Sequence, residues 1–131
     1  MYPRLGELIE LIKNRGATAF LVTNGTLPEV LKNITEPTQL YISLSAPDKS
    51  TYIKTCRPML PNAWERLKES LSLLPSFKCP TALRLTLVRQ YNMKDIEGYA
   101  NLIKLAEPTY IEVKAAMFVG GTQYRLRFEN M

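Results

Sequence analysis

The chain has 131 residues, of which 46% are hydrophobic and 22% charged, a composition that suits one globular domain with one core. Lys and Arg number 17 against 12 Asp and Glu, and the net charge of +5 is compatible with an anionic partner. The absence of histidine excludes histidine-based triads and histidine-ligated zinc, and the two cysteines, Cys56 and Cys79, are too few to hold an iron–sulfur cluster alone.

The hydrophobic pattern predicts helices and strands in alternation. Apolar residues at positions 5, 8, 9 and 12 share one helical face, and Gly16 ends that helix. Thr26 and Glu29 have the spacing of a capping box, which begins a second, short helix. In chain order the predicted elements are a helix over 2–15, a strand over 17–22, a helix from 26 to about 33, a strand over 39–45, a loop from 47 with a polar stretch to 57, a helix from 62 with Trp64, Leu67, Leu71 and Leu74 on one side, a strand over 83–88, a helix over 93–105, a strand over 110–115, and a tail from 117 that forms a loop and a short strand.

The same dipeptide precedes three of the four strands: Pro37-Thr38, Pro80-Thr81 and Pro108-Thr109. Proline ends the preceding helix and lets the next residues extend. A repeated helix–turn–strand unit predicts parallel strands joined by right-handed crossovers, which is the α/β class.

Three strands alternate apolar with polar residues. Strands of an open parallel sheet covered on both faces are apolar throughout, whereas a barrel with a functional lumen needs a polar inner face. We therefore predict a partial (β/α) barrel of about four parallel strands, with residues 1–131 as a single partial domain; a sheet with one face in water and a flavodoxin-like nucleotide binder are the alternatives. The site is expected where the strands end. The predicted polar face comprises Tyr41, Ser43, Ser45, Arg84, Thr86, Val88, Tyr110, Glu112 and Lys114.

Several strings resemble those of the radical S-adenosylmethionine (SAM) enzymes, and of the branch that builds 4-demethylwybutosine in tRNA. The resemblance extends over essentially the whole chain, with the strings in the same order. They are Val22-Thr23-Asn24-Gly25-Thr26, the run from Gln39 to Asp48, Trp64-Glu65-Arg66, Arg84 to Val88, Asn92-Met93, Glu112-Val113-Lys114, Met117-Phe118-Val119-Gly120, Arg125-Leu126 and Glu129-Asn130-Met131.

The resemblance implies a parent enzyme that uses SAM and a 4Fe–4S cluster held by a CxxxCxxC loop, and that joins two carbons of pyruvate to N1-methylguanosine of tRNA-Phe. That loop and the Gly-Glu-Pro segment that grips SAM are absent from this sequence. We therefore expect the central part of the barrel, strands three to six, inactive by itself. Cys56 and Cys79 are expected to be unpaired thiols, and no residue is assigned to a metal.

The resemblance also implies positions for the cofactor and the small substrate. Thr23, Asn24, Ser43, Ser45 and Asn92 are expected to contact SAM. Lys114, whose strand position directs it into the barrel, is the candidate catalytic residue: it would hold the pyruvate carboxylate or form a Schiff base with the keto group. The alternative for Lys114 is an ion pair with Glu112 or near Arg84, and Arg84 itself is expected to be a structural charge paired with Glu112.

Basic residues follow several strand ends and are expected to surround the mouth, where a tRNA anticodon loop would dock through its phosphates. An ordinary solvated surface is the alternative, and Tyr91 and Tyr124 are candidates to stack a base. A non-catalytic RNA-binding module that uses this rim alone is the alternative function. The tRNA-binding candidates are Lys54, Arg57, Arg89 and Arg125.

Two further expectations concern the whole chain. Open edges at both terminal strands predict association into homo-oligomers by strand pairing. No apolar run approaches the length of a membrane span and no signal peptide opens the chain, so a cytoplasmic location is expected.

Overall fold

A parallel sheet with helices on one side organises the chain. The structure, a computed structural model, describes residues 2–131. Its helices and strands are α1 (Leu5–Asn14), β1 (Phe20–Thr23), α2 (Pro28–Leu31), β2 (Gln39–Ser43), α3 (Lys49–Cys56), α4 (Ala63–Leu73), β3 (Thr81–Leu87), α5 (Ile96–Ala106) and β4 (Tyr110–Ala115), with short 3-10 turns at Leu74–Ser76, Gly120–Tyr124 and Phe128–Asn130.

The four strands pair in the order β1-β2-β3-β4, and every pair is parallel. In a sheet whose strands follow in chain order, right-handed crossovers place all the connecting helices on the same side. The predicted α/β class and barrel-type sheet are confirmed. The flavodoxin-like alternative is excluded, because a doubly wound sheet reverses its strand order and carries helices on both faces.

The core lies between the sheet and the helices. Leu40, Ile42 and Leu83 point to this side and are completely buried, as is Leu67 of α4. Helix α4 contacts α2, α3 and α5, so it is the centre of the helical layer. The alternation in the sequence therefore separates a buried apolar face from an opposite face that the helices leave open.

The threonines of the Pro-Thr dipeptides tie the strands together at their amino-terminal edge. The Ala19 amide donates to Thr38 Oγ1 at 2.9 Å. Thr81 and Thr109 exchange bonds, each amide donating to the other hydroxyl, at 3.1 and 3.3 Å. The dipeptide thus ends a helix and also joins neighbouring strands.

Two predicted segments differ in the structure. The polar stretch before Arg57 is the helix α3, because Asp48 caps it by accepting hydrogen bonds from the Thr51 amide (2.9 Å) and hydroxyl (2.6 Å). The predicted strand in the tail is wrong: this segment forms 3-10 turns, and Gly120 has a φ of +55° that extended backbone does not use. Within the described residues 2–131, no helix has both the length and the apolar character needed to cross a bilayer.

Candidate functional site

The open face of the sheet carries rows of side chains at right angles to the strands. The strand register pairs Tyr41 with Ala82 and Tyr110, and then Ser43 with Arg84 and Glu112. The next row has Thr86 beside Lys114. Most of these side chains are half-buried or exposed although they belong to a parallel sheet. Polarity therefore increases toward the carboxyl ends of the strands, where barrel enzymes place their sites.

A cleft of about 430 Å³ opens beyond the ends of β1 and β2, and we call it the serine cleft. Three of the predicted SAM-binding residues line it: Asn24, Ser43 and Ser45. Ser43 is half-buried and lines this cleft, so its hydroxyl is within reach of a ligand there. The remaining lining residues are Thr26, Tyr52, Cys56, Pro58, Met59, Leu60 and Ala63.

Thr23 and Asn24, although adjacent, have different positions. Thr23 pairs with Ile42 and is buried on the helix-covered side, where its hydroxyl accepts the Gly25 amide at 3.2 Å. Asn24 is exposed, and its Oδ1 accepts the Thr26 amide and hydroxyl at 3.1 and 2.8 Å. Thr23 therefore shapes the turn that presents Asn24. It lies on the helix-covered side of the sheet, whereas the sequence predicted that it would face the open side.

Asn92 has a structural role that the sequence did not predict. It is completely buried, and its Oδ1 accepts the Val88 amide at 2.6 Å. Its Nδ2 donates to the Ser45 and Thr86 carbonyl oxygens at 2.8 and 2.9 Å. Asn92 thus holds the ends of β2 and β3 together with its whole amide group, and its expected contact with SAM stays a prediction.

A tyrosine supports this clamp. The Tyr99 hydroxyl donates to the Asn92 carbonyl oxygen at 2.9 Å, and burial raises the pKa of Tyr99 to about 12. The hydroxyl is therefore a permanent donor at ordinary pH.

Lys114 lies exposed on the open face, beside Thr86. The alternative ion pair with Glu112 is not formed, because Glu112 Oε2 accepts a hydrogen bond from Arg84 Nε at 2.6 Å. The Arg84–Glu112 pair expected from the sequence is thus present. Among the described residues, no carboxylate lies within ion-pair distance of Lys114, so its amine is available.

A second cleft, of about 580 Å³, opens beyond β3, and we call it the basic cleft. Lys54, Arg57 and Arg125 line it together with Tyr91 and Tyr124. The tail closes its side: the Tyr91 hydroxyl donates to the Arg125 carbonyl oxygen at 3.3 Å, and the Arg125 guanidinium reaches the Thr55 carbonyl oxygen at 3.4 Å. Tyr124 is 92% exposed, so its ring is open to a stacking partner.

Arg89, the fourth predicted tRNA-binding residue, is exposed but does not line the basic cleft. Its backbone is bound to the tail, since its amide donates to the Asn130 carbonyl oxygen at 2.8 Å and its carbonyl oxygen accepts from Asn130 Nδ2 at 3.1 Å. Helix α3, which supplies Lys54 and part of both clefts, was missed in the sequence. Asp48 as an N-cap residue before a run with no proline or glycine was the signal for it.

The cysteines do not form a metal site. Both are free, as expected: Cys56 is the last residue of α3, at the carboxyl edge of the sheet, and Cys79 precedes β3 at the opposite edge. Burial raises the pKa of both thiols, which makes them poorer ligands. No group of three metal-ligating side chains occurs among residues 2–131. These residues therefore do not fit a 4Fe–4S cluster, whereas the hydroxyl and amide groups of the serine cleft fit a polar organic ligand.

Comparison with known families gives two matches. Residues 1–103 match the radical SAM superfamily, and residues 105–131 match the family described as wyosine base formation. The first match alone covers most of the chain, and the boundary between the two falls within α5.

The similar curated proteins share one name, S-adenosyl-L-methionine-dependent tRNA 4-demethylwyosine synthase. That of Pyrococcus horikoshii is 46% identical over 135 residues, all of this chain and 40% of the relative. That of Saccharomyces cerevisiae is 42% identical over 93% of this chain and 15% of the relative. The chain thus spans well under half of these relatives. Their name specifies 4-demethylwyosine, which replaces the 4-demethylwybutosine given with the resemblance.

Solved structures of TYW1 are similar to this chain. The structure of TYW1 with a lysine–pyruvate adduct bound superposes with a TM-score of 0.89 at 41% identity, over 99% of this chain and 41% of that one. The crystal structure of archaeal TYW1 superposes with a TM-score of 0.75 at 41% identity, over 86% of this chain and 38% of that one.

Proposed function

Since the chain belongs to the radical SAM superfamily, we propose that it forms the SAM- and substrate-facing wall of an enzyme that makes 4-demethylwyosine in tRNA. One observation carries this proposal: the parallel sheet has one uncovered polar face, on which Lys114 lies exposed. The serine cleft opens beyond β1 and β2, and the basic cleft opens beyond β3. Two clefts suit an enzyme that must bring a cofactor and a large nucleic acid to one small reacting group.

The serine cleft is the proposed SAM site. Asn24, Ser43 and Ser45 offer an amide and two hydroxyls, which orient the polar groups of a ligand without adding charge. No step of cluster chemistry is assigned to these residues, because they contain no ligand set for a cluster. For the same reason we propose that the 131 residues alone do not cleave SAM, and anaerobic reconstitution with iron and sulfide tests this point: cluster uptake with SAM cleavage would contradict it.

Lys114 is the proposed site of a covalent bond to pyruvate. The structure of TYW1 with a lysine–pyruvate adduct spans 99% of this chain, and Lys114 is an exposed, uncommitted amine on the polar face. Its uncharged amine would attack the keto carbon and expel the keto oxygen as water, leaving a carbon–nitrogen double bond. Exposure to the open face supports this role, since both reactant and water need a path.

Reductive trapping tests this proposal. Incubation with pyruvate and borohydride, followed by peptide mapping, should place a stable adduct on Lys114, and Lys114→Arg should remove it. Lys104→Arg is the matched control, because Lys104 is an exposed lysine of α5 away from both clefts. A wild-type adduct spread evenly over exposed lysines would refute the role of Lys114.

The basic cleft is the proposed tRNA contact. Lys54, Arg57 and Arg125 place three cations around two tyrosine rings, an arrangement that suits phosphates and a splayed base. We expect Arg57→Ala and Arg125→Ala each to weaken tRNA binding and to lower the salt slope of log K by about one. Arg15→Ala is the control, because Arg15 follows α1, the helix before the outer strand β1, and does not line the basic cleft. An equal loss of tRNA affinity in all three variants would refute this contact.

A non-catalytic RNA-binding module is the second candidate. The basic cleft favours it, because its three cations and two tyrosine rings all come from this chain, whereas residues 2–131 contain no ligand set for the cluster. The two candidates differ in one measurement: the RNA-binding module predicts tRNA binding without any selective adduct at Lys114.

A further inference from the structure

We propose that Asn130 is a positioning residue for the basic cleft, because it holds the tail, residues 117–131, where Tyr91 and Arg125 can meet tRNA. This inference rests on the proposed tRNA contact, and it adds a residue that lies outside the cleft. It depends on three features: the burial of Asn130, its hydrogen bonds to the loop after β3, and the part of the cleft that the tail supplies.

Asn130 is the anchor of the tail. Every other residue between positions 117 and 131 is exposed or half-buried, whereas Asn130 is only 5% exposed. A buried amide holds a segment in place only through hydrogen bonds, since burying it without partners costs free energy. The hydrogen-bond partners of Asn130 therefore determine where the tail lies.

These partners belong to the loop that follows β3. Asn130 Nδ2 donates to the Arg89 carbonyl oxygen at 3.1 Å and to Gln90 Oε1 at 3.3 Å. The Asn130 carbonyl oxygen accepts the Arg89 amide at 2.8 Å. Gln90 has a φ of +69°, a left-handed conformation that a residue other than glycine keeps only where its surroundings hold it. Asn130 provides part of that support, so the loop and the tail are fixed together.

Two parts of the basic cleft depend on this junction. Tyr91 follows Gln90 directly and lines the cleft, and the tail supplies Arg125. The Tyr91 hydroxyl donates to the Arg125 carbonyl oxygen at 3.3 Å, which connects the loop and the tail a second time. Asn130 itself does not line the cleft, so it acts on tRNA only through the residues that it places.

The first test is Asn130→Ala, which removes the amide but no charge. Binding of tRNA should weaken about five- to tenfold, and the salt slope of log K should fall by up to about one, because Arg125 loses its fixed place at a phosphate. Asn33→Ala is the matched control. The Asn33 amide also donates to a backbone carbonyl oxygen, that of Glu29, at 3.0 Å, and Asn33 does not line the basic cleft. An equal weakening in both variants would overturn the inference.

Asn130→Ser distinguishes the anchor from a local turn. In the wild type, Asn130 Oδ1 accepts the Arg127 amide at 2.8 Å. A serine hydroxyl can accept the same amide but is too short to reach Arg89 and Gln90. Asn130→Ser should therefore bind tRNA as weakly as Asn130→Ala. Wild-type affinity in Asn130→Ser would overturn the inference, because the local turn alone would then be sufficient.

A double-mutant cycle measures whether Asn130 acts through Arg125. Asn130→Ala should cost less tRNA affinity in an Arg125→Ala background than in the wild type, since one of the groups that it places is then missing. Equal losses in the two backgrounds, with an unchanged salt slope, would mean that Asn130 does not act through Arg125, and would overturn the inference.

Hydrogen exchange separates this inference from the proposed tRNA contact. Asn130→Ala should speed amide exchange in residues 88–92 and 117–131 and leave the strands β1 to β3 unchanged. If Arg57→Ala and Arg125→Ala do not weaken tRNA binding, the proposed contact fails. Exchange then still decides the role of Asn130: faster exchange supports the anchor, and unchanged exchange overturns it.

Discussion

Gly25 lies between the core and the serine cleft. Gly25→Ala therefore tests how closely the turn after β1 packs against the core. Gly25 has a φ of +70°, its amide donates to Thr23 Oγ1, and its carbonyl oxygen accepts the Ser70 hydroxyl at 2.7 Å. This turn follows directly on Asn24. A side chain at position 25 would have to displace either the backbone of the turn or the core beneath it.

The expected cost has two parts. A left-handed φ costs an alanine about 1 kcal/mol relative to glycine. A Cβ at this position would also lie 2.8 Å from Leu67 Cδ1 and 3.1 Å from Ile42 Cγ2, both in completely buried side chains, and such overpacking costs about 1–3 kcal/mol. We therefore expect Gly25→Ala to lower the free energy of unfolding by about 2–4 kcal/mol.

Gly16→Ala is the matched control. Gly16 has a φ of +74°, but an added Cβ would meet no atom within 4 Å. It should lose only the conformational part, about 1 kcal/mol. Thermal unfolding followed by circular dichroism should then show a fall of about 3–5 °C for Gly16→Ala and about 6–20 °C for Gly25→Ala. Equal losses in the two variants would refute the crowding between Gly25 and Leu67, whatever their size.

Three further predictions concern the clamp, the cap and the sheet edges. Asn92→Ala should lower the free energy of unfolding by about 2–4 kcal/mol, because it leaves buried backbone groups unpaired, whereas Asn62→Ala should stay within about 0.5 kcal/mol; urea unfolding measures both. Hydrogen bonds from Thr51 lower the pKa of Asp48 to about 2, below its unfolded value, so its contribution is present above about pH 4 and is lost as pH falls toward 2. Asp48→Asn keeps the cap but cannot titrate. If the wild type and Asp48→Asn lost equally much free energy of unfolding between about pH 5 and about pH 2.5, this would count against the hydrogen bonds between Asp48 and Thr51. The free edges of β1 and β4 predict concentration-dependent association in sedimentation, reduced by Val113→Lys; a monomer at every concentration would contradict it.

The alternation of apolar and polar residues predicted both the fold and the face that carries the site. In β2 the pattern correctly assigned Leu40 and Ile42 to the core and Ser43 to the open face. This prediction worked because successive side chains of a strand point to opposite faces of the sheet, so the same alternation determines which side chains are buried and which face the open side. It failed at Thr23, where the strand is short and the register with Ile42 decides the side.

Loops were harder to predict than strands. The sequence identified Asn92 as a polar residue after a strand, but its partners are carbonyl oxygens of Ser45 and Thr86, and Ser45 is 47 positions away in the chain. Nothing local distinguishes an amide that clamps backbone from one that meets a ligand. The tail that encloses the basic cleft was equally unpredictable, because Arg125 is placed by contacts with Tyr91 and Thr55.

The difference between the two sides of the sheet explains why the site residues are arranged in rows. Helix-covered side chains such as Leu83 are fixed by packing, so their strands keep a single register. The same register places Ser43, Arg84 and Glu112 side by side on the open face, where no packing holds them. Contacts between neighbouring side chains therefore fix their orientation, as those with Tyr41 and Glu112 do for Arg84. It follows that Glu112→Gln should release the Arg84 side chain at little cost: urea unfolding should show a fall of at most about 1 kcal/mol in the free energy of unfolding, because the pair is partly exposed.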